Sequence, residues 1–285
     1  EVIALNDRKY EYDDKVGFEI SDKKKKEFKN IAKKINEDKD IALVSIQHEF
    51  GLYGGKYGRY ILTFLRYLNK PSVVTFHTVI PNPVNKLRKT VKKLSENCEK
   101  IIVMSQTAVK ILTSQYEIPE EKLKVIYHGV PEIPSLNKKK YKRKLNLKGR
   151  KVITTFGFLS PGKGIEYVID AMPKIVKKHP NVLYLVLGKT HPVMKRKTGE
   201  SYRRKLEKRI RKLGLQEHVI LKNEYLSTKD LVEYLIASDI YVCTNLDKNQ
   251  IVSGTLSYAL SCGKAVVSTP ILYAKDVISD KNGIL

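Results

Sequence analysis

The run Phe156-Gly157-Phe158-Leu159-Ser160-Pro161-Gly162-Lys163-Gly164 is the stretch of this sequence best suited to chemistry. It follows a strand-like apolar run and opens an amphipathic helical pattern. Gly157 and Gly162 let backbone N–H groups approach a ligand closely, the start of a helix favours anions, and Lys163 adds a mobile positive charge. These features suit a phosphate or pyrophosphate, whereas the bland alternative is an ordinary Gly/Pro turn. The spacing is neither GxxxxGK[ST] nor GxGxxG, which disfavours a P-loop ATPase and a dinucleotide site.

Two other groups carry polar chemistry. Ser253, Gly254 and Thr255 begin a helical pattern, so their N–H groups suit a second contact with phosphate; a plain serine N-cap competes with that reading. Further upstream, His48, Glu49, Gly51, Gly54 and Gly55 follow a strand and are expected to form a loop, where a His-Glu pair could orient an acceptor hydroxyl. One His and one Glu make no metal site, and H-E-x-x-H fails because Leu52 stands four residues past His48. Glu224 and Asp247 are the acidic candidates near these segments. His128 sits at an HGV turn, while His179, His191 and His218 read as surface or structural residues. Three cysteines, Cys98, Cys243 and Cys262, are widely spaced in apolar or helical contexts and read as reduced thiols in or near cores.

The chain has 285 residues, enough for two domains, with 54 Lys plus Arg against 30 Asp plus Glu and a net charge of +24. That balance favours anionic partners: nucleic acid, an acidic membrane surface or phosphorylated small molecules. Lysine is spread along the whole chain, however, so a solvated surface explains much of it. The longest apolar runs are strand-sized, and no secretory signal opens the chain.

Strand–helix alternation must position these groups. Strands are expected at Ile41–Gln47, Ser72–Phe76, Lys100–Met104 and Leu123–Tyr127, with helices at Tyr57–Leu68, Val84–Asn97 and Gln106–Tyr116. A second series places strands at Lys151–Phe156, Val182–Leu187, His218–Lys222, Ile240–Cys243 and Ala265–Ser268. Its helices are Lys163–Lys178, Gly199–Leu213, Thr228–Ala237 and Ser253–Ser261. Pro173 should kink the first of these or limit its regularity. The pattern implies α/β architecture with two doubly wound, Rossmann-like parallel-sheet domains facing a cleft. Prolines at 131 and 134 and a basic stretch divide them, giving residues 1–134, a basic interdomain connection with a short helix over 135–149, and residues 150–285.

At this point the sequence resembles a known family. "FGFLSPGKGIEYVIDAM" is similar to the first strand–loop–helix of the donor domain in glycosyltransferase family 4, the retaining enzymes of the GT-B fold. The likeness continues through "VLYLVLGKTHP", "LGLQEHVILKNEYLSTKDLVEYLIASDIYV" and "SGTLSYALSCGKAVVSTP". Upstream, "SIQHEFGLYGGKYGRYI", "VVTFHTVIPNP", "IIVMSQTAVKIL" and "KVIYHGVPEIP" match the N-terminal half. Many dispersed matches in the right order make the signal strong, and it points to a subgroup with QHEFG, SPGKG and QIVSGTL together.

The resemblance implies roles. Lys163 corresponds to the lysine that binds the donor pyrophosphate, and His77 to the histidine lying against the transferred sugar, with a core histidine as the alternative. Gln250 and Tyr258 stand where the family has two glutamates, the first on the sugar and the second on the ribose. Phe158 replaces an arginine near the phosphates. Gly157, Phe158, Gly162, Glu224, Gln250, Ser253, Gly254, Thr255 and Tyr258 are therefore the donor-binding candidates beside Lys163, with His77, Lys163 and Gln250 as the catalytic ones. His48, Glu49, Gly54 and Gly55 are the acceptor-side candidates.

The implied function is transfer of a hexose from a nucleoside diphosphate sugar to a hydroxyl on a glycan or a lipid-linked acceptor, with retention. A leaving-group phosphate oxygen takes the acceptor proton, so the reaction needs no protein nucleophile, metal or other cofactor. The expected location is cytoplasmic, with peripheral contact to an anionic inner membrane surface. The alternatives are a non-catalytic binder of polyanions or membranes, and another GT-B enzyme such as a sugar phosphorylase or epimerase. Nucleic acid is disfavoured because no recognised module or aromatic stacking platform is present. A GT-B enzyme also has a first strand and a final crossing helix that this sequence does not display, so a fragment is expected.

Overall fold

A computed structural model describes residues 1–285. The chain divides into two compact units, Glu1–Tyr127 and His128–Leu285.

The first unit runs β1 Val2–Asn6, β2 Val16–Ser21, α1 Lys25–Glu37, β3 Val44–His48, α2 Ile61–Tyr67, β4 Ser72–Phe76, α3 Asn85–Glu96, β5 Lys100–Val103, α4 Gln106–Tyr116 and β6 Leu123–Val125. All its strand pairs are parallel: β1 with β2 in one small sheet, and β3-β4-β5-β6 in the other. Of the first three elements, β1 is a short uncharged run, VIALN, and β2 carries one acid, Glu19, whereas lysines crowd α1 and mask its helical signal. α1 still buries Phe28, Ile31, Ala32 and Ile35, a helical stripe inside a lysine-rich segment.

β3 is an edge strand. The Val44 N–H bonds to the Pro71 carbonyl, so by alternation the peptide groups of Ser45 and Gln47 point away from β4. A groove of about 860 Å³ lies along that open flank, lined by Leu5 and Ile20 of the small sheet and by Phe28, Val44, Ile46 and Phe64.

The helix expected over Tyr57–Leu68 begins only at Ile61. Tyr57 has φ 59 and Gly58 has φ 69, so that stretch is a tight turn rather than a helical start.

The second unit runs α5 Lys138–Lys144, β7 Lys151–Phe156, α6 Ile165–Lys178, β8 Val182–Leu187, α7 Pro192–Thr198, α8 Ser201–Lys212, β9 Val219–Lys222, α9 Thr228–Ala237, β10 Ile240–Cys243, α10 Gly254–Ser261, β11 Ala265–Ser268, α11 Leu272–Val277 and β12 Gly283–Ile284. Its six-stranded sheet has the order β12-β11-β10-β7-β8-β9, parallel throughout. Helices cover both faces, so β8, interior to the sheet between β7 and β9, is buried at all six positions and reads as an unbroken apolar run. Two cores flank the sheet: one holds Val168, Ile169, Met172 and Leu206, the other Leu235, Ile236, Leu256 and Ala259. α6 runs from Ile165 to Lys178 with Pro173 inside it.

The basic stretch over 135–149 is part of the second unit and not a connection. Tyr141 and Leu147 are buried in its core, and α5 packs on α9. The lysines that suggested a solvated linker hold acids of that unit. Lys138 bonds Asp239 at 2.8 Å, Lys142 takes the other Asp239 oxygen, and Lys144 bonds Glu233 at 2.6 Å. The Val152 N–H also donates to Asp239, which ties α5 to the start of β7.

Candidate active site

The C-terminal ends of β7 and β8 separate around two glycines. Gly157 has φ 121 and Gly188 has φ 140, both in the glycine-favouring region. A Cβ on Gly188 would lie 2.2 Å from the Gly157 carbonyl oxygen, so neither a side chain nor ordinary backbone geometry fits there. The buried Arg203 guanidinium of α8 donates to the Gly188 carbonyl at 2.8 Å and fixes that turn from behind.

Above these strand ends is a cavity of about 310 Å³. Gly157, Phe158, Glu224, Gly254, Thr255 and Tyr258 line it, which brings together six of the donor-binding candidates. The end of a parallel strand beside a helix N-terminus is where such folds bind ligands. Gly254 and Thr255 open α10, which Ser253 caps by accepting from the Leu256 N–H at 3.3 Å. Ser253 is buried and does not line the cavity; its position is that of the plain N-cap. Tyr258, on the same helix, packs at 6.0 Å from Phe156 and 6.5 Å from His128.

Lys163 ends a single helical turn over Pro161–Lys163, and Gly164 follows it with φ 61. Two bonds clamp the turn to the segment after β10: the Leu246 N–H to the Gly162 carbonyl at 2.9 Å, and the Thr244 hydroxyl to the Lys163 carbonyl at 2.8 Å. The Lys163 side chain is half-buried and forms no ion pair with a carboxylate. Desolvation holds its ammonium below the usual lysine value, with Cys243 opposing weakly. A partly desolvated cation without a partner gains most from an incoming anion. Neither Gly162 nor Lys163 lines the cavity itself.

Gln250 is placed differently from its sequence reading. Its amide oxygen accepts from Asn245 at 2.7 Å and its amide N–H donates to the Val252 carbonyl at 2.9 Å, so it ties the loop before α10. It too lies outside the cavity lining.

In the first unit, His77 lies just beyond β4 and is partly exposed, with Nε2 2.8 Å from the Gln47 amide oxygen. Thr78 donates to Glu49 at 2.8 Å. His48, expected on a loop, is instead the last residue of β3 and fully buried. Strand alternation turns it inward with Val44 and Ile46, where it stacks on Tyr53 at 5.6 Å and meets Phe76 edge-on at 4.9 Å. Burial, aided by His77, pushes its pKa down to about 4, and neither ring nitrogen has a partner. The core histidine of this region is therefore His48 and not His77. Gly54 and Gly55 form a left-handed turn packed on the Asp22 backbone and Tyr60, a structural use.

Comparison with known proteins resolves what these strand ends belong to. The family described as glycosyl transferases group 1 matches residues 137–285, more than half of the chain. The chain belongs to that family. Glycosyltransferase family 4 matches residues 27–132.

Among this family's curated members, the chain is 24% identical over 188 residues to the putative glycosyltransferase YtcC of Bacillus subtilis, covering 62% of this chain and 44% of YtcC. It is 30% identical over 207 residues to the uncharacterized glycosyltransferase MJ1069 of Methanocaldococcus jannaschii, covering 69% of this chain and 48% of that protein. The chain spans less than half the length of these relatives. Among solved structures, HepE from Anabaena, in complex with UDP, superposes with a TM-score of 0.69 at 20% identity, over 90% of this chain and 67% of HepE. A Rickettsia africae glycosyltransferase gives 0.71 at 18% identity, over 94% and 70%. These likenesses establish the GT-B fold class, with two Rossmann-like units.

Relative to this group 1 frame, sequence reasoning missed Lys189, Tyr225 and Thr228 in the cavity lining, and Gln47 beside His77. Gly188 carried a usable signal. It ends β8 as Gly157 ends β7, and paired glycines at neighbouring strand ends mark a close backbone approach. No group of three or more His, Cys, Asp or Glu side chains is arranged to hold a metal ion. No helix is long and apolar enough to cross a membrane.

Proposed function

We propose that the chain serves transfer of a hexose from a nucleoside diphosphate sugar to a hydroxyl acceptor, with retention at the anomeric carbon. The observation that carries this reading is the cavity at the β7–β8 strand ends, where donor-binding candidates from three separate segments converge. The same β7–α6 connection holds Lys163, whose ammonium lacks an anionic partner. Lys163 and the N–H groups of Gly254 and Thr255 would take the charge that develops on the departing diphosphate, without a metal. HepE has been solved with UDP-glucose, and a Staphylococcus aureus TarM mutant with UDP and alpha-GlcNAc-glycerol, which supports a sugar nucleotide and a hydroxyl acceptor here.

Retention follows from the family resemblance and fits the lining, in which Glu224 is the sole carboxylate, so no glycosidase-type pair stands at the strand ends. By the same resemblance His77 lies against the transferred sugar and Glu49 serves the acceptor. α8 presents Arg204, Lys205, Lys208, Arg211 and Lys212 as one exposed stripe, which supports an anionic membrane surface carrying a lipid-linked acceptor.

Binding calorimetry of the full-length protein with a panel of nucleoside diphosphate hexoses tests the reading. At least one donor should bind, and Lys163→Met should weaken it by roughly 100-fold, as for loss of a charge-assisted contact to phosphate. Failure of every donor to bind refutes the proposal.

A further inference from the structure

The mouth of the β7–β8 cavity has a chemistry of its own. Phe158 and Tyr225 stand side by side there, ring centroids 6.3 Å apart and planes 31° from parallel. His191 braces Phe158 edge-on at 5.6 Å. Tyr225 is 74% exposed and Phe158 39%, so two large rings are left in water at the entrance of a cavity. Exposed aromatic faces in that position are stacking surfaces for a planar heterocycle, and stacking alone accepts any base.

Discrimination must come from an edge. Glu224 precedes Tyr225 on the β9–α9 loop and supplies the only carboxylate in the lining. Lys222 holds its Oε2 at 3.0 Å, which leaves Oε1 and a second lone pair on Oε2 open. A carboxylate offers two acceptors side by side and no donor, so its complement is a base edge with two adjacent donors. Guanine has that edge, N1–H next to the N2 amine. Uracil presents one N–H between two carbonyls, which would oppose the carboxylate. Adenine and cytosine each set one amine beside a ring-nitrogen acceptor. Lys189, exposed on the same rim, is a donor suited to guanine O6 or N7.

We propose that this cavity selects guanine, so that the donor is a guanosine diphosphate sugar, with Glu224 as the specificity-determining residue and Phe158 and Tyr225 as the stacking pair. The inference rests on the donor-site reading above and adds the identity of the base.

Calorimetric titration of the full-length protein with GDP, UDP, ADP and IDP tests it. GDP should bind tighter than UDP and ADP by roughly tenfold or more, as expected for two hydrogen bonds to a charged acceptor. IDP lacks only the 2-amino group and should lose about fivefold or more relative to GDP, one such bond. Glu224→Gln should erase the GDP-to-IDP difference and narrow the gap between GDP and UDP, because an amide offers one donor and one acceptor and no longer opposes the uracil carbonyls. UDP or ADP binding as tightly as GDP overturns the guanine assignment while leaving the donor site standing, and so does a Glu224→Gln variant with an unchanged GDP preference. Absence of binding by all four diphosphates overturns the donor site and the guanine assignment together.

Discussion

Gly188→Ala is the sharpest single test of how the cavity is built. The native residue sits at φ 140, where an L side chain is strained, and the new methyl would be 2.2 Å from the Gly157 carbonyl oxygen. The obstacle is backbone on a neighbouring strand, so no side-chain rotation relieves it. The backbone conformation alone costs about 1–3 kcal/mol. The contact must also open by about 1 Å, which strains the bond from the Gly157 N–H to the Leu187 carbonyl at 3.0 Å and the Arg203 bond to the Gly188 carbonyl at 2.8 Å. A total near 3 kcal/mol is the expectation, about 6–12 °C in the melting temperature of a unit this size. Because Gly157 and Gly188 both line the cavity, nucleotide affinity should fall alongside stability. Thermal melting followed by fluorescence, with calorimetry on the folded variant at low temperature, measures both. A variant that melts within about 1 °C of the parent and binds normally would refute the close strand-end approach on which the site argument depends.

Two further outcomes follow from other side chains. His48 takes a proton near 6.5 when unfolded but only near about 4 when folded. Between those values the unfolded chain binds more protons, so stability falls as pH drops from 6.5 towards 4, by up to roughly 3 kcal/mol. Urea denaturation at pH 7, 5 and 4 should show that loss, and His48→Phe should flatten it; an equally steep profile in the variant assigns the loss elsewhere. Gln250→Glu installs the carboxylate usual in family 4 but removes the donor to the Val252 carbonyl, so chemical denaturation should register a loss of roughly 1–3 kcal/mol. A variant at least as stable as the parent would show that the amide is no structural tie.

Periodicity made most of the α/β order legible before any coordinates, because buried parallel strands such as Val182–Leu187 are unbroken apolar runs and α6 has a clear stripe. α1 was hidden by the lysines and acids between its apolar positions, and β1, a five-residue run, by the charged segment that follows it. The segment over 135–149 misled for an electrostatic reason. Lysine reads as solvent exposure, yet Lys138, Lys142 and Lys144 face Asp239 and Glu233, partners roughly 90 to 100 residues away in sequence. Within the site, glycines and the α10 start could be placed from local pattern alone. His48 and His77 could not be told apart that way, since each directly follows an expected strand; β3 runs one residue further and takes in His48, whereas β4 stops at Phe76 and leaves His77 outside. Tyr225 and Lys189 enter the lining through tertiary position, which spacing does not encode.

The open flank of β3 bears on how the first unit behaves in solution. The Gln47 carbonyl accepts from the Tyr53 hydroxyl at 2.6 Å, but the Ser45 peptide groups and the Gln47 N–H face an apolar trough of about 860 Å³ without a partner strand, and no proline or inward-pointing lysine on β3 deters visitors. Bare edges of this kind recruit strands from neighbouring molecules. The chain is therefore expected to lose solubility through edge-to-edge association of the first unit well before the cavity of the second unit unfolds, and Ser45→Lys is the simplest gatekeeper against it.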